Sequence, residues 1–292
     1  MNTRRTLVSF AVCLASTGCG GEAVTSPSPT SPPPALVSPP PPTAITVRLT
    51  LTDVVTGAEL GSEPREVSRL PALVAITRPG YLPREALVQS ATPRVSLVSQ
   101  SGFDLEFYRQ FARDSLRFPS LRQLVVLQES PSFYMEVEGE KGFSAEIATK
   151  LERVARRIVP DLTGGRLHVA RWETGPTSRA PREGWITVER RDQEATCGSA
   201  LPGAVAGQIW MSSVQPGCRI ESTFAHEIGH ALGFFHVERP GSMMNNPSQG
   251  DAPSEFERRH AAIAYSRPRG NLDVDRDPQV PSAGVVPLRV ID

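Results

Sequence analysis

Between residues 44 and 100, apolar and polar positions alternate. In Ile45-Thr46-Val47-Arg48-Leu49-Thr50-Leu51 every second side chain is apolar, the period of a strand with one buried face. Residues 72–76 and 94–98 form further short apolar runs. Residues 53–57 and Pro79-Gly80-Tyr81 supply turns, with Gly57 at the left-handed position. Short strands at this spacing predict a small antiparallel all-β sandwich over 44–100. The period then lengthens. Phe103, Phe107, Phe111 and Leu116 recur at roughly helical spacing, which predicts a helix over 101–119, either a connector or the first helix of the domain that follows. Residues 124–127 and 133–137 read as buried strands. Residues 144–159 place Ile147, Leu151, Val154, Ala155 and Ile158 on one helical face, with Ser144 as N-cap and Pro160 as the stop. Strands are predicted at 166–170, 184–189 and 207–211. A last helix is predicted over 254–265, with Phe256, Ala261, Ile263 and Ala264 on its packed face.

The ends have a different character. Met1-Asn2-Thr3-Arg4-Arg5 is basic and an apolar run over 6–15 follows it. This is the layout of a secretory signal peptide, here 1–18, and too short for a membrane-spanning helix. The small residues ending in Gly18-Cys19 resemble a bacterial lipobox, with Ser16 where a branched aliphatic residue is usual. Cys19 is therefore a candidate for lipidation, and the expected location is outside the cytoplasm, as a cell-surface or periplasmic lipoprotein or a secreted protein. Residues 19–43 are rich in proline and serine and read as a semi-rigid linker, and 269–292 as a C-terminal tail.

Charge changes the picture little. Lysine plus arginine number 31 and aspartate plus glutamate 31, so no net field recruits nucleic acid or an anionic membrane surface. Membrane contact is expected only through the N-terminal lipid, and the chain is expected to be a monomer. With Cys13 removed and Cys19 lipidated, Cys197 and Cys218 remain as an even pair, expected to form a disulfide in an exported chain.

The chemistry is concentrated in one stretch. Of the 5 histidines, three lie in Ala225-His226-Glu227-Ile228-Gly229-His230-Ala231-Leu232-Gly233-Phe234-Phe235-His236. On a helix His226 and His230 sit one turn apart on one face, placed to grip a single metal ion. Gly233 lets the helix end in a left-handed conformation, and the turn brings His236 back as a third ligand. Three neutral imidazoles with an open fourth position form a catalytic zinc site. Glu227 is placed to reach a water on that ion. His168 reads as an ordinary imidazole in a strand, and His260, on the last helix, as one able to hydrogen-bond near residues 242–244 without a catalytic role.

The pattern H-E-x-x-H-x-x-G-x-x-H, followed by Ser242-Met243-Met244 as an S-x-M turn, resembles the metzincin-type zinc endopeptidases. The resemblance implies an α+β catalytic domain over 120–268: a twisted mixed sheet packed on helices, a zinc helix and a methionine turn with Met244 beneath one catalytic Zn²⁺. It implies hydrolysis of protein or peptide substrates outside the cytoplasm, with His226, His230 and His236 as metal ligands, Glu227 as general base, and Gly233 and Met244 in support. In that plan an extended substrate pairs with an edge strand beside the cleft, for which residues 207–211 are the expected choice. Asn245, Asn246 and Pro247 stand where some relatives carry a tyrosine, so no second oxyanion stabiliser is named. Two alternatives compete. One is an exported binding or adhesion lipoprotein with a structural or vestigial zinc site; the other is a zinc hydrolase acting on something other than peptides. The carboxylate of Glu227 argues against the first, because a structural site has no use for it.

Overall fold

The structure, a computed structural model, describes residues 43–120, 123–140, 142–192, 196–246, 250–279 and 290–291. The expected export segment, Cys19 and nearly all of the linker lie outside the described residues.

Five strands come first: β1 (Ile45–Asp53), β2 (Glu59–Val67), β3 (Ala72–Ile76), β4 (Arg84–Val88) and β5 (Arg94–Leu97). β1 lies between β2 and β5, and β3 pairs with β4. Val47, Leu49 and Leu51 of β1 share one apolar core with Val74 and Ile76, Ala86 and Val88, and Val95 and Leu97, so the two small sheets face each other across it. At the β1–β2 turn Asp53 Oδ1 accepts from the amides of Val55 (2.9 Å) and Thr56 (2.8 Å), and Gly57 takes the left-handed position, φ 71°. The expectation of a purely antiparallel module needs one correction, because β5 runs parallel to β1. β2 and β4 left no clear mark in the sequence. β2 is largely polar and exposed, with Leu60 and Val67 its apolar contacts to the core, and β4 opens on a buried arginine.

The second half contains α1 (Leu105–Arg113), β6 (Ser132–Glu136), α2 (Ala145–Asp161), β7 (Arg171–Gly175), β8 (Trp185–Arg190), β9 (Gly198–Ala200), β10 (Ala206–Met211), α3 (Ile220–Leu232), α4 (Glu255–Tyr265) and β11 (Val290–Ile291). One six-stranded sheet has the order β11-β9-β10-β8-β6-β7. Its middle strands are parallel, and β9 turns back antiparallel onto β10. Buried residues of this sheet, α1, α2, α3 and α4 form one core. The fold is the mixed α+β arrangement the sequence led us to expect.

Several local expectations are corrected. Residues 124–127 are buried but join no ladder: Leu124 N donates to Asn271 O (3.0 Å) and Leu127 N to Leu232 O (3.4 Å). The strand expected at 166–170 begins instead at Arg171, because Thr163 Oγ1 already accepts from Leu167 N (3.0 Å). α2 runs one residue past Pro160, which sits in the last turn. α1 stops at Asp114, whose left-handed conformation (φ 55°) ends it before Phe118. Residues 207–211 are not the edge of the sheet, since β9 lies outside them.

α1 is built into the metal-site half. Phe111 stacks on Phe234 with ring centroids 4.1 Å apart, Phe107 meets Phe256 at 4.8 Å, and Phe111 O accepts from Phe235 N at 2.8 Å. A second tie joins the β-module to this half. Alternate residues of the segment after α4 each meet an arginine. Asn271 accepts from the fully buried Arg113, and Asp273 from Arg109 (2.7 Å). Asp275 takes a two-pronged pair from Arg267 (2.7 Å on both oxygens), and Asp277 one from Arg84 of β4 (3.1 Å). Ser96 of β5 closes the ring through Arg84 and Arg267. Buried charges persist only when paired and hydrogen-bonded, and here the partners come from both halves.

Candidate metal centre

α3 is buried on every side from Ser222 to Leu232, as expected of a helix whose apolar residues do not confine themselves to one stripe. Two glycines set its surroundings. At Gly229 a Cβ would collide with Met244 Sδ, so the bare backbone is what lets the 242–244 turn pack against the helix. At Gly233 the chain takes φ 108°, and a Cβ would lie 2.8 Å from Val126 Cα. A side chain is excluded there by both conformation and space. The reversal is held by Gly233 N to His230 O (2.8 Å) and Phe234 N to Gly229 O (3.0 Å). α1 then grips the returning strand through Phe111 O, and Gln110 Oε1 accepts from Glu238 N (2.9 Å). His236 lies between those two anchors.

The three imidazoles converge. Nε2 of His236 lies 3.2 Å from Nε2 of His226 and 3.2 Å from Nε2 of His230. Nδ1 of His226 faces Met243 O at 2.6 Å, and Nδ1 of His230 faces Phe234 O at 2.8 Å. A carbonyl oxygen only accepts, so each Nδ1 carries the proton and each Nε2 turns a lone pair inward. Lone pairs so close together repel unless a cation lies between them. Nitrogens about 2.0–2.1 Å from a tetrahedral zinc stand roughly 3.3 Å apart, close to the spacing found here. The donor set therefore fits zinc: three imidazole Nε2 atoms converge, and carbonyl partners fix the tautomer of two of them.

Glu227 is fully buried next to His226. Its carboxylate fills the space that a side chain on Gly198 of β9 would need, and a Cβ there would come within 2.8 Å of Cδ. The short strand β9, unread in the sequence, is thus the sheet element against the glutamate. Cys197, one residue before β9, is disulfide-bonded to Cys218, just before α3, with Cα atoms 5.4 Å apart. The bond closes the β9–β10 segment onto the start of the histidine helix.

A further residue of the site went unread. Glu257 of α4 is fully buried. Its Oε1 accepts from Ser242 Oγ (2.5 Å) and Met244 N (3.3 Å), while Oε2 accepts from Ser254 N and Ser254 Oγ (both 2.8 Å). One carboxylate thus ties the methionine turn to the start of α4. The Ser254-x-x-Glu257 spacing of a capping box was available in the sequence and would have marked it. His260 does not take the place expected near that turn. It sits among Phe103, Phe107 and Phe256, accepts from Asp104 N (3.1 Å) through Nε2, and turns Nδ1 to Phe256 O (2.8 Å). Burial there holds its pKa below the ordinary histidine value. His168 is exposed beside Ser130 and far along the chain from the cluster.

The model of the matrixin family matches residues 99–260. No curated protein matches the chain. Among solved structures, metalloproteinase-II from Bacteroides fragilis is 11% identical over 74% of this chain and 84% of that one, with a TM-score of 0.34. A chaperone–substrate complex is 12% identical over 49% of this chain and 35% of that one, with a TM-score of 0.33. Neither likeness is close enough to bear on the fold or the chemistry. The family match does bear on it, because it spans more than half the sequence and takes in α1, the central sheet and the whole histidine helix. The chain belongs to the matrixin family and is a zinc metalloendopeptidase of the metzincin type.

Proposed function

We propose that the chain hydrolyses peptide bonds of extracytoplasmic proteins, with one zinc ion held by His226, His230 and His236 and with Glu227 as general base. The observation that carries this reading is the convergence of three Nε2 atoms beside a buried carboxylate that packs on strand β9. A zinc ion bound there supplies Lewis acidity, making water a nucleophile near neutral pH and stabilising charge on the peptide oxygen. Glu227 accepts the proton of the attacking water and passes it to the departing amine nitrogen, so the C–N bond breaks as the new C–O bond holds. Met243 O and Phe234 O keep two imidazoles in the tautomer that faces the ion. Gly233 and Met244 hold the turn and the floor around them. β9 takes the role assigned from the sequence to 207–211: an extended substrate pairs with its outer edge. The Cys197–Cys218 disulfide supports an oxidising compartment, in keeping with the export segment read at 1–18 and with lipidation at Cys19.

The zinc-loaded full chain should cleave a denatured protein, lose that activity to a chelator and regain it with zinc. Glu227→Ala should bind one zinc per chain while turnover falls by about 10²–10⁴. A Glu227→Ala protein that holds zinc and cleaves as fast as the parent overturns the assignment.

A further inference from the structure

Among the described residues, the outer side of β9 is occupied by β11. Val290 pairs with Ala200 and Ile291 with Ser199, antiparallel. Along β9 in the direction β11 runs, the next residue is Gly198, the one against which the Glu227 carboxylate packs. The chain's own late segment therefore lies along the edge of the sheet and points toward the general base. A sheet edge offers its free N–H and C=O groups to any extended chain, and one strand occupies it at a time.

We propose that residues 290–291 act as an inhibitory strand: they occupy the part of β9 on which an extended substrate pairs, and substrate must displace them. This rests on the peptidase reading given above. The sequence around them suits the task. In sequence, Val285-Val286-Pro287-Leu288-Arg289-Val290-Ile291 is apolar with a single charge, the composition of a β-prone peptide. Two paired residues bind weakly by themselves, but the segment is tethered. A tether supplies an effective concentration of order millimolar, so even a millimolar contact is half occupied and raises the apparent KM by about twofold. The device attenuates the enzyme and does not shut it off. It differs from simple edge protection in one respect: a strand that merely covers an edge away from the substrate leaves KM unchanged.

The test compares the full chain with a chain ending at Gln279, which keeps Asp275 and Asp277 and hence their arginine pairs. A Val290→Pro, Ile291→Pro double variant serves as the second form, since proline removes whichever amide faces β9. Both should show a lower KM for an unfolded protein substrate with kcat unchanged. A synthetic peptide of residues 283–292 should then inhibit the shortened chain competitively. Amide exchange at Ala200, which faces β11, gives a readout independent of catalysis and should quicken in both variants. Unchanged KM together with no inhibition by the peptide overturns the proposal, whatever the exchange shows. Faster exchange in zinc-loaded forms that cleave nothing would leave the strand contact standing and remove the peptidase reading on which inhibition depends.

Discussion

The carbonyl oxygen of Met243 lies 2.6 Å from Nδ1 of His226. The methionine turn thus touches the histidine helix through its backbone as well as through the sulfur of Met244. The turn is in turn held from behind by Glu257, through Ser242 Oγ and Met244 N. A line of contacts runs from α4 to the His226 imidazole proposed as a metal ligand.

Glu257→Ala should therefore act on the metal as well as on stability. Loss of a group that orients a ligand lowers metal affinity by about 10–100-fold. Loss of the bonds from Ser254 N and Oγ to the carboxylate, the reciprocal half of the capping box, adds a cost of about 1 kcal/mol. Zinc competition against a chelator, read beside thermal melting, separates the two. A lower melting temperature with parental zinc affinity would reduce Glu257 to a helix cap.

Gly198→Ala places a methyl group where the Glu227 carboxylate now lies. The carboxylate must move, and a displacement of about 1 Å at a catalytic group costs roughly 10²-fold. The expected result is a fall in kcat with zinc retained, because no ligand contact is touched. Full activity would mean that Glu227 works from another position.

The β-module is not separable on this structure. Asp277→Ala removes the nearer carboxylate from buried Arg84 and leaves it only Asp275, at 4.0 Å. Breaking one side of a buried pair costs about 3–5 kcal/mol, so the variant should unfold at markedly lower urea. A chain beginning at residue 99 loses Arg84 and Ser96 together and should be less stable still. Parental stability of either form would show that the module folds apart from the rest.

His260 gives the acid side of the stability profile. In the unfolded chain it titrates near its ordinary value of 6.5; in the fold, burial lowers that value. Below about pH 6.5 the unfolded chain therefore binds a proton that the folded chain refuses, and stability falls with pH until the folded value is passed. Above 6.5 its contribution is complete. His260→Gln keeps an acceptor for Asp104 N and should flatten the difference in urea midpoint between about pH 7 and 5. An equal slope in parent and variant would assign the acid sensitivity elsewhere.

The histidine motif was legible because its chemistry is local. His226 and His230 share a face through helical geometry alone, and Gly233 ends the helix by its own conformational freedom, so twelve consecutive residues carry most of the ligand set. The long amphipathic helix α2, the capped α4 and the strongly alternating β1 were legible for the same reason: each is specified by a period within one segment. What the sequence left unread depends on residues far apart in the chain. Glu257 reaches a turn 13–15 residues earlier, and β9 is too short and too small in its side chains to show a period. The polar residues of 271–277 look like a solvated tail until Arg84 of β4, Arg109 and Arg113 of α1, and Arg267 just after α4 pair with them. Sequence brought together the groups proposed to do the chemistry, since residue type and short spacing fix which side chains share a face. Tertiary structure decided which strand flanks β10, what backs the methionine turn and what lies over β9, because each is a meeting of segments that no local pattern records.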